Sequence, residues 1–294
     1  MGRASQSCGL ACANPAILPR AAQQPTMRRV AVVSVLALSS SQATSQAIAG
    51  APFLTEDPVP VDYRHSEFYV FSTYDRTTDG SDSNFPVFEY SYGVLPDTQL
   101  TIGVPFARTA PDGGRTEWGL GDVVIAVKYR FVDETDTSPQ IAVVPLAELP
   151  TGDSNKGLGN GKIWWRLPVC LQKSWGEWTT YGGGGYVINP ADGEKNHAFG
   201  GWLLQKDLGE KWMLGGEVFA RGKDTVGGRA TTFLNFGGSF RFSPDFKLLF
   251  SAGHSVSGET HTTAYLGLWW GFGGDEDGRQ SGTGSPRDRW WLSK

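Results

Sequence analysis

Four His occur in the sequence, and one of them stands beside hydroxyl side chains. His254-Ser255-Val256-Ser257 is the nearest approach to the His and Ser of a membrane-embedded lipid hydrolase. In that chemistry the two residues lie two apart on one strand face, so that the imidazole activates the hydroxyl. Here Ser255 is adjacent to His254 and Ser257 is three positions on. Successive strand residues alternate faces, so both serines fall opposite His254. No catalytic residue is assigned. His197 and His261 border polar links and His65 precedes the first strand-like run. Such scattered imidazoles do not form a metal-ligand pattern. The glycine runs Gly182 to Gly185 and Gly157-Leu-Gly-Asn-Gly161 lack the Lys-Ser/Thr of a phosphate loop. No metal and no cofactor is expected. Asp79, Asp82, Asp112, Asp153 and Asp192 are spread over several polar links. They read as solvated loop carboxylates ahead of a divalent-cation site on lipopolysaccharide.

With no site chemistry to organise the chain, its composition sets the frame. Glycine is abundant at 39 residues, aromatics make up 12% and charged residues only 19%. Mean hydropathy is -0.27, too low for a protein built from apolar helical spans of about 20 residues. The net charge of -4 excludes the basic face of a nucleic-acid binder, so no nucleic-acid partner is expected. Of Cys8, Cys12 and Cys170, only the last follows the export signal described next, which rules out an internal disulfide in the mature chain.

Residues 27–50 have the layout of a cleavable export signal. Arg28 and Arg29 follow Met27, Val30 to Leu38 is a short apolar core, and Ala47-Ile48-Ala49 gives a small-residue cleavage site. Ser45-Gln46-Ala47 is an alternative site, and Met27 is the expected start. The domain plan is a leader and signal peptide over 1–49, a periplasmic entry segment over 50–66, a transmembrane barrel over 67–272 and a disordered tail over 273–294.

Within 67–272 the hydropathy alternates with the strand period. Val123, Ile125, Val127, Tyr129 and Phe131 share one face, and Asp122, Val124, Ala126, Lys128 and Arg130 share the other. Twelve such runs are predicted, at 67–77, 85–95, 98–109, 120–132, 139–150, 161–174, 177–189, 195–208, 210–222, 228–243, 246–257 and 261–272. Tight links such as Leu95-Pro96-Asp97 and Leu208-Gly209-Glu210 alternate with longer polar ones such as Ala110 to Gly119 and Thr151 to Asn160. Short periplasmic turns and long outer loops are the habit of outer-membrane barrels. The fold class predicted is therefore all-β, an antiparallel transmembrane β-barrel of about twelve strands in the bacterial outer membrane. A soluble barrel with an aromatic core shares the same sequence period.

Two sets of side chains follow from that orientation. Tyr92, Tyr129, Phe131, Trp178, Trp212, Phe240, Phe242, Trp270 and Phe272 are expected on the outer face near the periplasmic rim, as an interfacial aromatic girdle. Glu89, Lys128, Arg130, Glu148, Lys162, Arg166, Glu217, Arg221 and Arg241 are expected to line the lumen, with Arg229 among them. Their mixed sign predicts a water-filled or salt-bridged interior, and the excess of Lys and Arg leans toward anions. The partners expected are outer-membrane lipid and lipopolysaccharide, the barrel assembly machinery, and a small-molecule solute. A passive channel, a closed structural barrel with a salt-bridged lumen, and a lipid hydrolase are the functions weighed, in that order.

Three stretches resemble one family. Pro52 to Tyr74 (PFLTEDPVPVDYRHSEFYVFSTY) is similar to its opening segment and first strand, Gly119 to Phe131 (GLGDVVIAVKYRF) to its G-x-G-D and K-Y-R strand, and Leu149-Pro-Thr-Gly-Asp153 with Gly157-Leu-Gly159 to its L-P-T-G loop. The family is that of outer-membrane transporters labelled after the meta-cleavage pathway of phenol degradation. The resemblance covers roughly 52–272 and implies a barrel that takes up hydrophobic or aromatic compounds. Ala264 to Phe272 (AYLGLWWGF) is similar to the aromatic-ended last strand that barrel assembly recognises.

Overall fold

The computed structural model describes residues 51–273. The expected export signal and the expected tail beyond Gly273 lie outside the described residues. Twelve strands follow one another around a closed wall. They are β1 (Ser66–Arg76), β2 (Gly80–Leu95), β3 (Thr98–Pro111), β4 (Glu117–Leu120 continuing as Val123–Val132), β5 (Gln140–Val143 continuing as Leu146–Leu149) and β6 (Trp164–Trp175). Then come β7 (Trp178–Ile188), β8 (His197–Leu208), β9 (Trp212–Arg221), β10 (Thr231–Ser243), β11 (Phe246–Ser257) and β12 (Thr262–Phe272). Every sequential neighbour pair is antiparallel. β1 closes the wall by pairing with β12 from Ser66 opposite Phe272 to Arg76 opposite Thr262. Closure leaves no strand edge with unpaired backbone groups.

The direction of the alternation separates a membrane wall from a soluble one. Ile102, Ile125, Val169, Leu204, Val218, Leu234 and Leu266 are exposed on the outside. Between them on the same strands, Thr101, Val124, Cys170, Leu203, Glu217, Asn235 and Tyr265 are buried. A soluble barrel would put its aliphatic residues inside and its carboxylates outside. Here the outer belt is apolar and the interior holds charge, which is stable only with lipid around the wall.

The predicted runs and the observed strands differ at some ends, β6 and β10 starting later than predicted, and in continuity. β2 begins at Gly80, not 85, because Ser81 to Asn84 stay paired with β1 and β3. Their polarity marks where the strand leaves lipid, not where it ends, and it reduces the first outer link to Thr77 to Asp79. β4 and β5 each carry a break, at Gly121-Asp122 and at Val144-Pro145. Pro145 has no N–H to give to the ladder, while its carbonyl still accepts from Val127 N at 3.0 Å.

The break in β4 has a visible use. The Asp122 carboxylate accepts from Gly152 N at 2.8 Å and from Asn160 N at 2.5 Å. Thr151 Oγ1 donates to Gly121 O at 3.0 Å. The G-L-G-D and L-P-T-G stretches are thus two halves of one staple that ties the 150–160 loop to the wall. Leu158, from that loop, is buried against Gly119.

Residues 51–65 do not wait below the barrel. At the end of the wall that carries the short turns, Tyr63 forms a parallel bridge with Gly93. Arg64 N donates to Gly93 O at 2.8 Å and Gly93 N to His65 O at 3.0 Å. A Cβ on Gly93 would run into the carbonyl of Asp62, so only glycine lets the chain pass there. We expect Gly93→Val to displace residues 59–65 from β2. Limited proteolysis of the folded barrel should then cleave before Ser66 in the variant and spare the parent; equal protection would refute the docking.

Candidate functional site: the lumen

The interior is built from the inward residues of the wall and from the chain before β1. Five strands on different sides of the barrel hold that chain. Val61 N donates to Gln99 Oε1 of β3 at 2.8 Å. Lys128 of β4 reaches Asp57 at 3.0 Å and Val59 O at 3.2 Å. Arg166 of β6 reaches Glu56 at 3.4 Å and Leu54 O at 3.2 Å. Glu217 of β9 accepts from Thr55 N at 2.6 Å and Leu54 N at 3.1 Å. Ser251 of β11 donates to Pro52 O. A segment touching the inner face of β3, β4, β6, β9 and β11 lies across the lumen. Phe53 completes it, buried with Tyr181 and Leu203.

The anchors are chemically matched to a backbone in that position. Glu217 has two oxygens and takes two N–H groups that would otherwise be buried without acceptors, while Asn235 Nδ2 donates to it at 2.6 Å. Such charge-assisted bonds are stronger than neutral ones. The Arg166–Glu56 pair is almost fully enclosed. Burial costs such a pair much of its attraction, so its effect is to fix position more than to add stability. Arg166 also lies 4.3 Å from the centroid of Phe199.

Beyond the segment, toward the outer end, inward rings run across three strands. Phe199 stacks on Phe219 at 6.1 Å, Phe219 meets Phe233 at 6.4 Å, and Phe233 meets His261 at 5.5 Å. His261 in turn contacts Asp75 at 2.9 Å and Arg221 at 3.1 Å. Arg221 is also paired with Asp224 at 3.0 Å. The other side of the interior is apolar and aromatic, with Phe71, Leu249, Tyr265, Tyr69 and Trp269 in one cluster.

The residues expected in the lumen fall in three places. Glu89, Lys128, Glu148, Arg166 and Glu217 are buried on the inward face. Arg130 and Arg221 sit at opposite mouths, Arg130 bound to Asp97 and Gln140. Lys162, Arg229 and Arg241 do not line the interior. Lys162 precedes β6 and reaches outward to Asp192 and the Pro190 carbonyl, both at 3.1 Å. Arg229 lies exposed in the β9–β10 loop and Arg241 is exposed near the C-terminal end of β10. For Lys162 and Arg229 the reason is that β6 starts at Trp164 and β10 at Thr231, so strand parity has no meaning before those points.

The expected girdle residues stand on the outer face, and a ring chain joins several of them. Trp212 contacts Phe240 at 4.6 Å, Phe240 contacts Phe242 at 5.0 Å, Phe242 contacts Phe246 at 5.0 Å and Phe246 contacts Trp270 at 4.9 Å. Phe68 extends the chain at 6.2 Å from Trp270. Tyr129 and Phe131 pair at 6.5 Å, and Tyr92, Trp178 and Phe272 lie near the same rim.

His254 points outward and contacts Thr262 Oγ1 at 2.9 Å. Ser255 Oγ instead accepts from His261 N at 2.9 Å. The imidazole and the serine hydroxyl are on opposite faces and serve different partners. Of the five loop aspartates, Asp112 pairs with Arg76 and Asp192 with Lys162. Asp153 caps the short turn that starts at Ser154.

Sequence reasoning missed the lumen segment. Its signal was present as the acidic pair Glu56-Asp57 flanked by Phe53, Pro58 and Pro60. An apolar anchor, two carboxylates and a stiff, extended backbone are what a strap across a basic wall requires.

A family profile described as "Putative MetA-pathway of phenol degradation" matches residues 67–272. Among solved structures, an outer-membrane channel from Pseudomonas putida F1 superimposes with a TM-score of 0.61 at 13% identity, covering 74% of this chain and 98% of that one. The KdgM porin gives 0.49 at 11% identity, covering 70% of this chain and 99% of that one. Among curated proteins no sequence is significantly similar. The first superposition speaks for the fold alone.

Replacing Glu217 by Ala leaves the Leu54 and Thr55 amides and Asn235 without their shared acceptor. A loss of about 1–3 kcal/mol per stranded group is the usual cost. Urea unfolding in detergent should place Glu217→Ala well below Glu217→Gln. Equal midpoints for the two variants and the parent would show that the segment is not anchored there.

Proposed function

This chain belongs to the family described as "Putative MetA-pathway of phenol degradation", and on that premise we propose that it is a passive, non-enzymatic channel of the bacterial outer membrane for small solutes, hydrophobic and aromatic ones among them. The observation that carries this reading is the construction of the interior. The lumen is crossed by a strap that is bound through side chains, with its backbone outside the β-ladder. A wall meant only to be closed needs no such arrangement, since side chains fill small barrels. A strap held by a few ion pairs and hydrogen bonds is displaced at much lower cost than a strand.

The inward rings Phe199, Phe219 and Phe233 support passage of apolar or aromatic bodies, which gain contact with the ring faces at each step. Charge selectivity is expected to be weak. Lys128 and Arg166, the most buried cations, face Asp57 and Glu56 of the strap, so neither is left to draw anions through the lumen. The outer ring chain is suited to the lipid headgroup level, and the β12 sequence AYLGLWWGF to recognition by the barrel assembly machinery. Lipopolysaccharide would meet the outer half of the belt. Non-enzymatic action is supported by the separation of His254 from Ser255 across the wall.

The competing reading is a permanently closed structural barrel, favoured by the enclosed Arg166–Glu56 pair. Proteoliposome swelling and single-channel recording separate the two. The parent protein is expected to pass small neutral solutes slowly and to show a small conductance. Deleting residues 51–62 is expected to raise both. No swelling in the parent and no rise in the deletion variant would favour the closed barrel and overturn the channel.

A further inference from the structure

Glu89 is placed differently from Glu217, whose oxygens are taken by the strap and Asn235. It is 5% exposed and faces inward from β2. Among the described residues its Oε2 has no hydrogen-bond partner and it makes no ion pair. On its β1 side the residues around it are aromatic. Tyr69 lies directly across on β1, and Trp269 lies across from Tyr69 on β12. One row further up, Phe71 sits between Val87 and Gly267. The Tyr265 ring stacks on Phe71 at 5.2 Å. It leans over Gly267, where an added Cβ would sit 2.7 Å from the Tyr265 hydroxyl oxygen. That hydroxyl is therefore drawn down toward the Tyr69 row. It too is buried without a hydrogen-bond partner. The Tyr69 hydroxyl is already committed, donating to Glu67 Oε2 at 2.7 Å.

The charges facing this spot are mainly negative. Glu67 and Glu56 lie within electrostatic reach of Glu89, as does Lys128. The Lys128 ammonium is held by Asp57 and by the Val59 carbonyl. On the far side, the Lys247 ammonium lies 4.0 Å from the centroid of Trp269. The wall thus already seats one ammonium on an aromatic face of this cluster.

We propose that Glu89, Tyr69, Phe71, Tyr265 and Trp269 form a binding site for an organic ammonium, an amine with a compact apolar body. Paired with a cation, the carboxylate is ionised and only accepts hydrogen bonds, and an ammonium supplies the donors. An ammonium has three N–H groups, enough for Glu89 Oε2 and the Tyr265 oxygen together. Its charge offsets the cost of the buried carboxylate. The aromatic faces attract cations and bury the carbon body. A carboxylate ligand is repelled by Glu89 and Glu67, and a neutral hydrocarbon leaves Glu89 unsatisfied. The site rests on the channel reading in that the solute must reach the lumen.

The test uses the full-length barrel, purified in detergent, and isothermal titration with three matched probes: phenethylamine, 2-phenylethanol and phenylacetate. The amine is expected to bind at least about tenfold more tightly than the alcohol or the acid, a difference of about 1.4 kcal/mol. Glu89→Gln is expected to reduce the amine to the level of the alcohol. Tyr265→Phe is expected to weaken the amine by a smaller factor. Equal binding of the three probes to the parent overturns the proposal even if Glu89→Gln does not fold. So does a folded Glu89→Gln, with the parent's heat-dependent gel migration, that keeps the amine preference. Swelling of parent liposomes in a neutral solute reads the channel separately. Amine binding without swelling would overturn only the channel, and swelling without amine preference only the site.

Discussion

Lipid offers no hydrogen bonds, and that single constraint governs this molecule. Each backbone N–H and C=O crossing the hydrocarbon must find its partner within the wall. The β1–β12 pairing meets the demand by leaving no free edge. Closure with strand alternation then sorts every side chain into one of two environments. Aliphatic residues such as Ile125 and Leu266 face lipid, and Glu217 and Lys128 face inward. The same rule explains where irregular backbone is tolerated. The breaks at Gly121-Asp122 and Val144-Pro145 are compensated locally, by the Asp122 staple and by Val127 N bonding to the Pro145 carbonyl.

Charge placed inside such a wall must be satisfied by something other than bulk water, because an unpaired buried ion is costly. The strap over residues 51–62 meets that need from two directions. Its carboxylates Glu56 and Asp57 answer Arg166 and Lys128, and its own amides are answered by Glu217. Wall and strap are therefore complementary, although their residues are separated by more than a hundred positions in the case of Glu56 and Arg166. The consequence for function is directional. Interactions of this type set a position firmly and still allow exchange, because each bond given up in the lumen can be replaced by one to water or solute.

The wall was legible in the sequence because lipid on one side imposes a strict period of two. All twelve strands lie where the alternating runs predicted them, and the outward rings near the short turns follow from the same parity. Where parity stopped applying, legibility stopped too. Lys162 and Arg229 precede their strands, so counting alternate residues back from the core misassigned them. Ser81 to Asn84 read as a loop because polarity reports solvent and not hydrogen bonding. The strap had no period to read. Its meaning resides in pairings with five strands scattered along the chain, and a single sequence carries no signal for such contacts beyond the charge and proline content of PFLTEDP.

The interior cluster at Glu89 illustrates why parity assigns a face and not a role. Glu89 and Glu217 have the same residue type, the same inward phase and similar burial. What distinguishes them is what each side chain meets. Glu217 meets backbone amides of the strap and Asn235, so its charge is consumed in holding structure. Glu89 meets Tyr69, whose hydroxyl is turned to Glu67, and beyond it the Phe71 and Tyr265 rings. An aromatic surface cannot donate the hydrogen bonds that a carboxylate requires, but it does favour a cation that brings them. Identical residues on one wall therefore divide into a structural anchor and a recognition group according to what the fold sets opposite each.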